Sequence, residues 1–150
     1  MLTKSFFQRL GDILLAGWLL GLGTIGCEHR VAPTQVEPIQ PTLSSIQAHV
    51  FTRSCALPSC HSSASRRGGL ILEAGKSYAN LVQARSLNSA ARAQNKFRVA
   101  PFQPDSSFLL IKLIAPSSGE GSVMPEGNNR LPEAGLRAIR EWIKQGAQDN

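Results

Sequence analysis

The stretch Cys55-Ala56-Leu57-Pro58-Ser59-Cys60-His61 places two cysteines and a histidine next to one another in the chain. Thiols and imidazoles bind transition metals, and thiols also form covalent bonds to a partner. Pro58 and Ser59 favour a turn between the two cysteines. The stretch therefore predicts either a site that holds a bound group or a loop closed by a disulfide.

Length and charge limit the class of protein. The chain has 150 residues, which is room for one domain, and its formal net charge is +6. The basic residues are scattered and form no block of like charge, so no nucleic-acid partner is expected. A solvated basic surface is the simplest interpretation, and an acidic partner or an anionic membrane surface stays open.

Residues 1–26 have the features of a secretory signal peptide. Lys4 and Arg9 supply a positive start before an apolar run from Ile13 to Gly23. This run is shorter than the roughly 20 apolar residues that a membrane-spanning helix needs. We therefore expect export.

The signal ends at Thr24-Ile25-Gly26-Cys27, which resembles the lipobox of bacterial lipoproteins. The resemblance implies acylation of Cys27 and anchoring at the periplasmic face of a bacterial membrane. Ordinary cleavage after small residues is the alternative and implies a soluble periplasmic protein. Under the lipoprotein interpretation, residues 27–43 are a lipidated N-terminus and a proline-rich extended tether, and residues 44–150 are the domain.

Apolar spacing within this domain predicts short helices rather than strands. The apolar residues between 43 and 51 recur at i, i+3 and i+7, which predicts a helix that runs into Cys55. Further helices are predicted over residues 78–82, over residues 106–114, and from Pro132 to a stop at Gly146. Residues 83–100 give no clear pattern. The fold class predicted is all-α.

Met124 is the only methionine besides the initiator, and it lies in a loop over residues 115–130 that is rich in Gly, Ser, Pro and Asn. A loop between two helices is a place from which a side chain can reach a bound group. Met124 is therefore a candidate metal ligand, and an apolar residue that caps the core is the alternative.

Residues 44–150 resemble a small class I cytochrome c domain, most closely the bacterial mono-haem type with a widened C-x4-C-H motif. The shared features are the helix that enters the motif and four short stretches, namely Gly68 to Leu70, Arg98 to Pro101, Asp105 to Leu109, and Met124-Pro125. The usual motif leaves two residues between the cysteines, and this one leaves four.

This resemblance implies a small cytochrome c-like fold of short helices around a covalent haem c. Cys55 and Cys60 would form thioethers to the haem, and His61 and Met124 would bind its iron. Arg98 would hydrogen-bond a haem propionate, or else be an ordinary surface arginine. By the same resemblance, Phe51 and Trp142 would meet where the first and last helices cross.

The function implied is periplasmic electron transfer to redox protein partners. We expect no enzyme, because both axial positions of the iron would be filled and no catalytic set is visible in the sequence. The alternative is a haem-free binding or structural module of an exported lipoprotein, closed by a Cys55–Cys60 disulfide. A zinc site that combines the two cysteines with His49 or His61 is a third reading, disfavoured because adjacent Cys60 and His61 would struggle to reach one tetrahedral ion.

Overall fold

The structure is a computed structural model that describes residues 38–127 and 129–150. The predicted signal peptide, the lipidation site Cys27 and most of the predicted tether lie outside these residues. Within the described ranges, no helix is both long and apolar enough to cross a membrane.

The described residues form short helices joined by irregular loops, with no strand among them. The α-helices are α1 (Leu43–Ile46), α2 (Ser77–Leu81), α3 (Ser89–Ala93), α4 (Phe108–Ile114) and α5 (Glu133–Lys144), with 3-10 turns at Arg67–Gly69 and Pro104–Ser106. Extended pairing is limited to two isolated bridges, Val82 with Val99 and Arg85 with Phe97. The all-α prediction is confirmed.

The helix that leads into the cysteine motif changes its winding part-way along. Thr42 accepts the Ser45 N–H at 3.3 Å and starts α1, which passes directly into a π-helical segment, Gln47–Cys55. In a π-helix each N–H bonds the carbonyl five residues back, as the Ala56 N–H does with Phe51 at 2.8 Å. The sequence predicted a helix here but not this wider form. Cys55 is its last residue.

The core begins earlier in the chain than the predicted boundary at residue 44. Leu43, assigned to the tether, is the first residue of α1 and is 6% exposed. Ile39 also packs against the core cluster. The apolar residue at the end of the tether thus belongs to the helical domain.

The first and last helices pack against each other, and the core lies between them and α4. Phe51 and Trp142 are almost fully buried in the same cluster, and a direct contact between their rings stays a prediction. The Trp142 indole N–H donates to the Gln148 carbonyl at 2.8 Å, so the buried ring leaves no unpaired donor.

The middle of the chain contains one helix that the sequence did not indicate and one that is shorter than predicted. In α3, the Asn88 side chain accepts the Ala91 N–H at 2.9 Å and caps the helix. α4 starts at Phe108 rather than at residue 106. The Ser107 hydroxyl accepts the Ala100 N–H at 2.9 Å and donates to the Gln103 carbonyl at 2.8 Å, which fixes the preceding turn.

Candidate cofactor-binding cavity

A cavity of about 420 Å³ opens between the cysteine motif and the loop after α4. Its size falls in the range of roughly 300–1,000 Å³ that is usual for ligand sites. Its lining includes all five residues of the domain that the sequence singled out as cofactor-binding, namely Cys55, Cys60, His61, Arg98 and Met124. The fold thus brings together residues that are far apart in the sequence.

The widened cysteine motif forms a compact turn. The His61 N–H donates to the Cys55 carbonyl at 3.1 Å, and the Cys60 N–H donates to the Leu57 carbonyl at 2.9 Å. Residues 57–59 are exposed, whereas both cysteines are half-buried and line the cavity. The two additional residues of the motif therefore lie on the solvent side and do not displace the thiols from the cavity.

Both cysteines of the motif are free thiols in the structure. Burial raises the pKa of the Cys55 thiol to about 11, and the nearby Cys60 adds to this effect. Cys55 is therefore a neutral thiol at neutral pH, and a neutral thiol attacks disulfides slowly because the thiolate is the nucleophile.

The surroundings of His61 favour the neutral imidazole, which is the form that binds a metal ion. Its Nδ1 donates to the Arg67 carbonyl at 3.0 Å, which leaves Nε2 with a free lone pair. Burial lowers the pKa of the imidazole, and the positive charges of Arg98 and Arg67 lower it further, against the raising effect of the backbone hydrogen bonds. A neutral imidazole with an oriented ring is the state that binds a metal ion.

Arg98 is buried rather than at the surface, with 8% of its area exposed. Its Nη2 donates to the carbonyls of Gly68 and Gly69 at 3.0 and 3.1 Å, and its Nη1 donates to the Asn80 carbonyl at 3.0 Å. The same turn supplies the carbonyl that accepts the His61 Nδ1–H. Arg98 therefore holds in place the backbone that orients His61.

The turn behind His61 depends on glycine at position 69. Gly69 has φ +64, and a Cβ there would come within 2.4 Å of Leu87 Cδ1. The positive φ favours glycine, because other residues are strained there, whereas the exposed Leu87 side chain is able to move aside. The Gly-Gly pair thus lets the carbonyls of residues 68 and 69 face Arg98.

Met124 is half-buried, packs against the core cluster and lines the cavity, although it is far from the cysteine motif in the sequence. Its N–H donates to the Lys112 carbonyl at 2.8 Å. The Lys112 ammonium in turn donates to the Glu120 carbonyl at 2.9 Å and to the Ser122 carbonyl. Lys112, on α4, therefore binds the loop that carries Met124.

A buried ion pair lies beside this loop. The Glu120 side chain has 0% exposed area, and its Oε1 is 2.6 Å from the ammonium of Lys96, which is 18% exposed. Its Oε2 accepts the Ser117 N–H at 2.7 Å. The Lys96 hydrogen bond, opposed by burial, holds the pKa of the Glu120 carboxyl below its usual range.

Lys96, Lys112 and Glu120 were not predicted from the sequence. Glu120 stands in a Gly/Ser-rich loop, and Lys96 in the stretch whose pattern was not readable. No spacing rule relates either residue to the other.

At the cavity rim, Arg67 and Glu126 form a further ion pair at 3.2 Å, but both are more than half exposed, so this pair adds little stability.

The segment after His61 is fastened by Glu73. Its carboxylate accepts the Ser63 N–H at 2.7 Å and the Ser63 hydroxyl, and Lys76 donates to it at 2.9 Å. The hydrogen bonds from Ser63, followed by that from Lys76, lower the pKa of the Glu73 carboxyl to about 2.

This depressed pKa predicts an acid-dependent loss of stability. Because the folded pKa lies below the ordinary value of 4.5, the contribution of Glu73 is complete above about pH 4.5 and is lost as the pH falls toward 2. Urea unfolding of the wild type and of Glu73→Gln, repeated across that window, is expected to show a shallower pH slope for the variant. Glu133→Gln, at an exposed site of α5, is the control, and equal slopes for Glu73→Gln and the wild type would contradict the assignment.

His49 does not take part in the site. Its Nδ1 lies 2.9 Å from the Ser45 carbonyl on the same helix, and it is not among the residues that line the cavity. In the described part of the chain, no three His, Cys, Asp or Glu side chains are grouped as a metal site.

Comparison of the chain with protein-family models, with curated proteins and with solved structures finds no match. The case for a function therefore depends on the residues of the cavity.

Proposed function

We propose that the domain is an electron-transfer c-type cytochrome with one covalent haem and His/Met axial ligation. The observation that supports this most is the convergence of Cys55, Cys60, His61 and Met124 on one cavity of about 420 Å³. Each of the four side chains is of the type that the resemblance assigned to a haem c. The short helices that surround the cavity agree with a cytochrome c-like fold.

The lining of the cavity suits a group that is mostly apolar. Its apolar wall is made by Leu70, Leu72, Leu81, Phe108, Leu109 and Leu113. Ligand sites of this kind combine an apolar wall with a few placed polar groups. Here the polar groups include the two thiols of Cys55 and Cys60 and the imidazole of His61.

A bound haem c supplies one-electron redox chemistry at its iron. In this proposal Cys55 and Cys60 would attach the group, and His61 and Met124 would bind its iron. The hydrogen bond from His61 Nδ1 to the Arg67 carbonyl fixes the ring and increases the basicity of Nε2. A methionine ligand raises the reduction potential relative to a second histidine.

In the same proposal, Arg98 fixes the backbone turn that orients His61. A contact from Arg98 to a haem propionate stays a prediction. With two protein ligands on the iron, no coordination position is left for a substrate, which favours electron exchange with redox protein partners over catalysis.

The proposal of export rests on the sequence of residues 1–27 alone. The same holds for the lipid on Cys27 and for the location at the periplasmic face.

Covalent haem is the decisive test. When the chain is expressed together with a cytochrome c maturation system, a denaturing gel stained for haem peroxidase activity is expected to show a band at the mass of the protein. The double variant Cys55→Ala/Cys60→Ala is expected to lose the stain, because no thioether can form. Ser59→Ala, within the same turn, is the matched control and is expected to keep it.

Mass spectrometry of the peptide that contains both cysteines distinguishes the alternatives. A haem adduct supports the cytochrome, whereas a peptide two hydrogens lighter identifies the Cys55–Cys60 disulfide of a haem-free module. Free thiols, or no stain in the wild type, would also overturn the proposal.

A further inference from the structure

Three hydrogen bonds fix the irregular segment between Glu120 and Met124, and all three involve Lys112. Its ammonium donates to the carbonyls of Glu120 and Ser122, and its own carbonyl accepts the Met124 N–H at 2.8 Å. The bonds come from a single residue of α4, which is a regular helix. The segment therefore takes its position from that helix.

The N-terminal end of this segment is also fixed by hydrogen bonds. The Glu120 carboxylate is fixed by Lys96 at 2.6 Å and by the Ser117 N–H at 2.7 Å, and the Asn88 side-chain amide donates to the Gly119 carbonyl at 3.2 Å. The Glu120 carbonyl is thereby held where the Lys112 ammonium reaches it. The loop is tied at residues 117–120, and Lys112 extends that order to Met124.

The Lys112 ammonium is suited to this task because it is half-buried and lines the cavity. Hydrogen bonds from a charged donor are roughly twice as strong as neutral ones. Without it, the carbonyls of residues 120 and 122 would lose a donor, and the four peptide units before Met124 would gain freedom. A ligand must be held to within about 0.5 Å to act as one.

We propose that Lys112 is a positioning residue that presents the Met124 thioether to the cavity. This inference rests on the proposed cytochrome function and assigns within it a residue that the resemblance does not include. Lys112 acts through the loop backbone and not by contact with the cofactor.

The test uses the haem-loaded protein and two readouts, the weak far-red absorption band of an iron–thioether bond and the amide hydrogen exchange of Met124. Lys112→Leu, which keeps an apolar stem but removes the donor and adds no thioether to the cavity, is expected to reduce the ratio of Met-bound to Met-free iron at least tenfold. Its Met124 amide is expected to exchange at least ten times faster. Met124→Ala sets the level at which the band is absent.

Lys112→Arg, which keeps a charged donor, is expected to retain at least half of the band, and Lys144→Met, on the exposed end of α5, all of it. If Lys112→Leu fails to fold, Lys112→Gln replaces it and is expected to show a weakened band and faster exchange. A wild-type band that persists unchanged in Lys112→Leu or Lys112→Gln overturns the positioning role while the cytochrome stands. A wild type that carries haem but no band overturns both His/Met ligation and this inference, and a wild type without haem overturns the proposed function itself.

Discussion

Replacement of Lys96 by methionine is expected to lower the free energy of unfolding by about 3–5 kcal/mol, because it leaves the buried Glu120 carboxylate without its partner. The carboxylate has 0% exposed area, and the Lys96 ammonium lies 2.6 Å from it. The Ser117 N–H and the nearby positive charge of Lys112 then remain to stabilise the charge on the side chain, but no ammonium is hydrogen-bonded to the carboxylate. The measurement is urea unfolding near pH 7, monitored by circular dichroism.

The pH dependence of this variant separates a lost charge partner from lost packing. Loss of the Lys96 hydrogen bond, the largest cause that lowers the pKa of the Glu120 carboxyl, makes this pKa rise relative to the wild type. The group therefore takes up a proton more readily as the pH falls, and the destabilisation shrinks. The double variant Lys96→Met/Glu120→Gln is expected to recover part of the loss, since a neutral amide replaces the charge. Lys144→Met, 66% exposed, is the control and should stay within about 0.5 kcal/mol of the wild type. A loss in Lys96→Met that is equal at pH 4 and pH 7 would contradict the explanation.

Replacement of Arg98 by methionine is expected to cost about 3 kcal/mol and to loosen His61. Methionine fills much of the volume but leaves the carbonyls of Gly68, Gly69 and Asn80 without their donor, and hydrogen bonds to charged groups contribute about 1.5–3 kcal/mol each without being additive. Arg98→Lys is expected to recover little, because one ammonium does not reproduce the fork of a guanidinium.

Two measurements test the role of Arg98. Urea unfolding gives the stability, and nitrogen NMR of His61 reports whether Nδ1 still carries the proton in its hydrogen bond to Arg67. Arg92→Met, at an exposed site of α3, is the matched control and should change neither. An Arg98→Met protein of wild-type stability with an unchanged His61 signal would show that the turn holds without the guanidinium.

The features that the sequence predicted are those that depend on residues close together in the chain. Apolar spacing located α4 and α5 and the helix before Cys55, because such periodicity is a property of neighbouring residues. The motif and the solitary methionine pointed to side chains that the fold places around one cavity. These predictions needed no knowledge of which distant residues meet.

The residues that the sequence missed act through contacts across the fold. Lys96 and Glu120 pair across 24 positions, and Arg98 binds carbonyls about 30 positions away. Backbone carbonyls are present in every residue, so no residue type marks them as partners. The interpretation of Arg98 as either a propionate contact or a surface residue omitted this third possibility for that reason.

The π-helical segment Gln47–Cys55 has a consequence for the rotational phase of the first thiol. Each turn of a π-helix takes up about one residue more than an α-helical turn, so over roughly two turns the phase at Cys55 differs by about two residue positions. The azimuth of Cys55 around the helix axis, and with it the side on which the thiol emerges, is therefore set by the hydrogen-bond register of the backbone. A one-residue deletion within this segment would shift that azimuth even though the motif and every side chain of the cavity were kept.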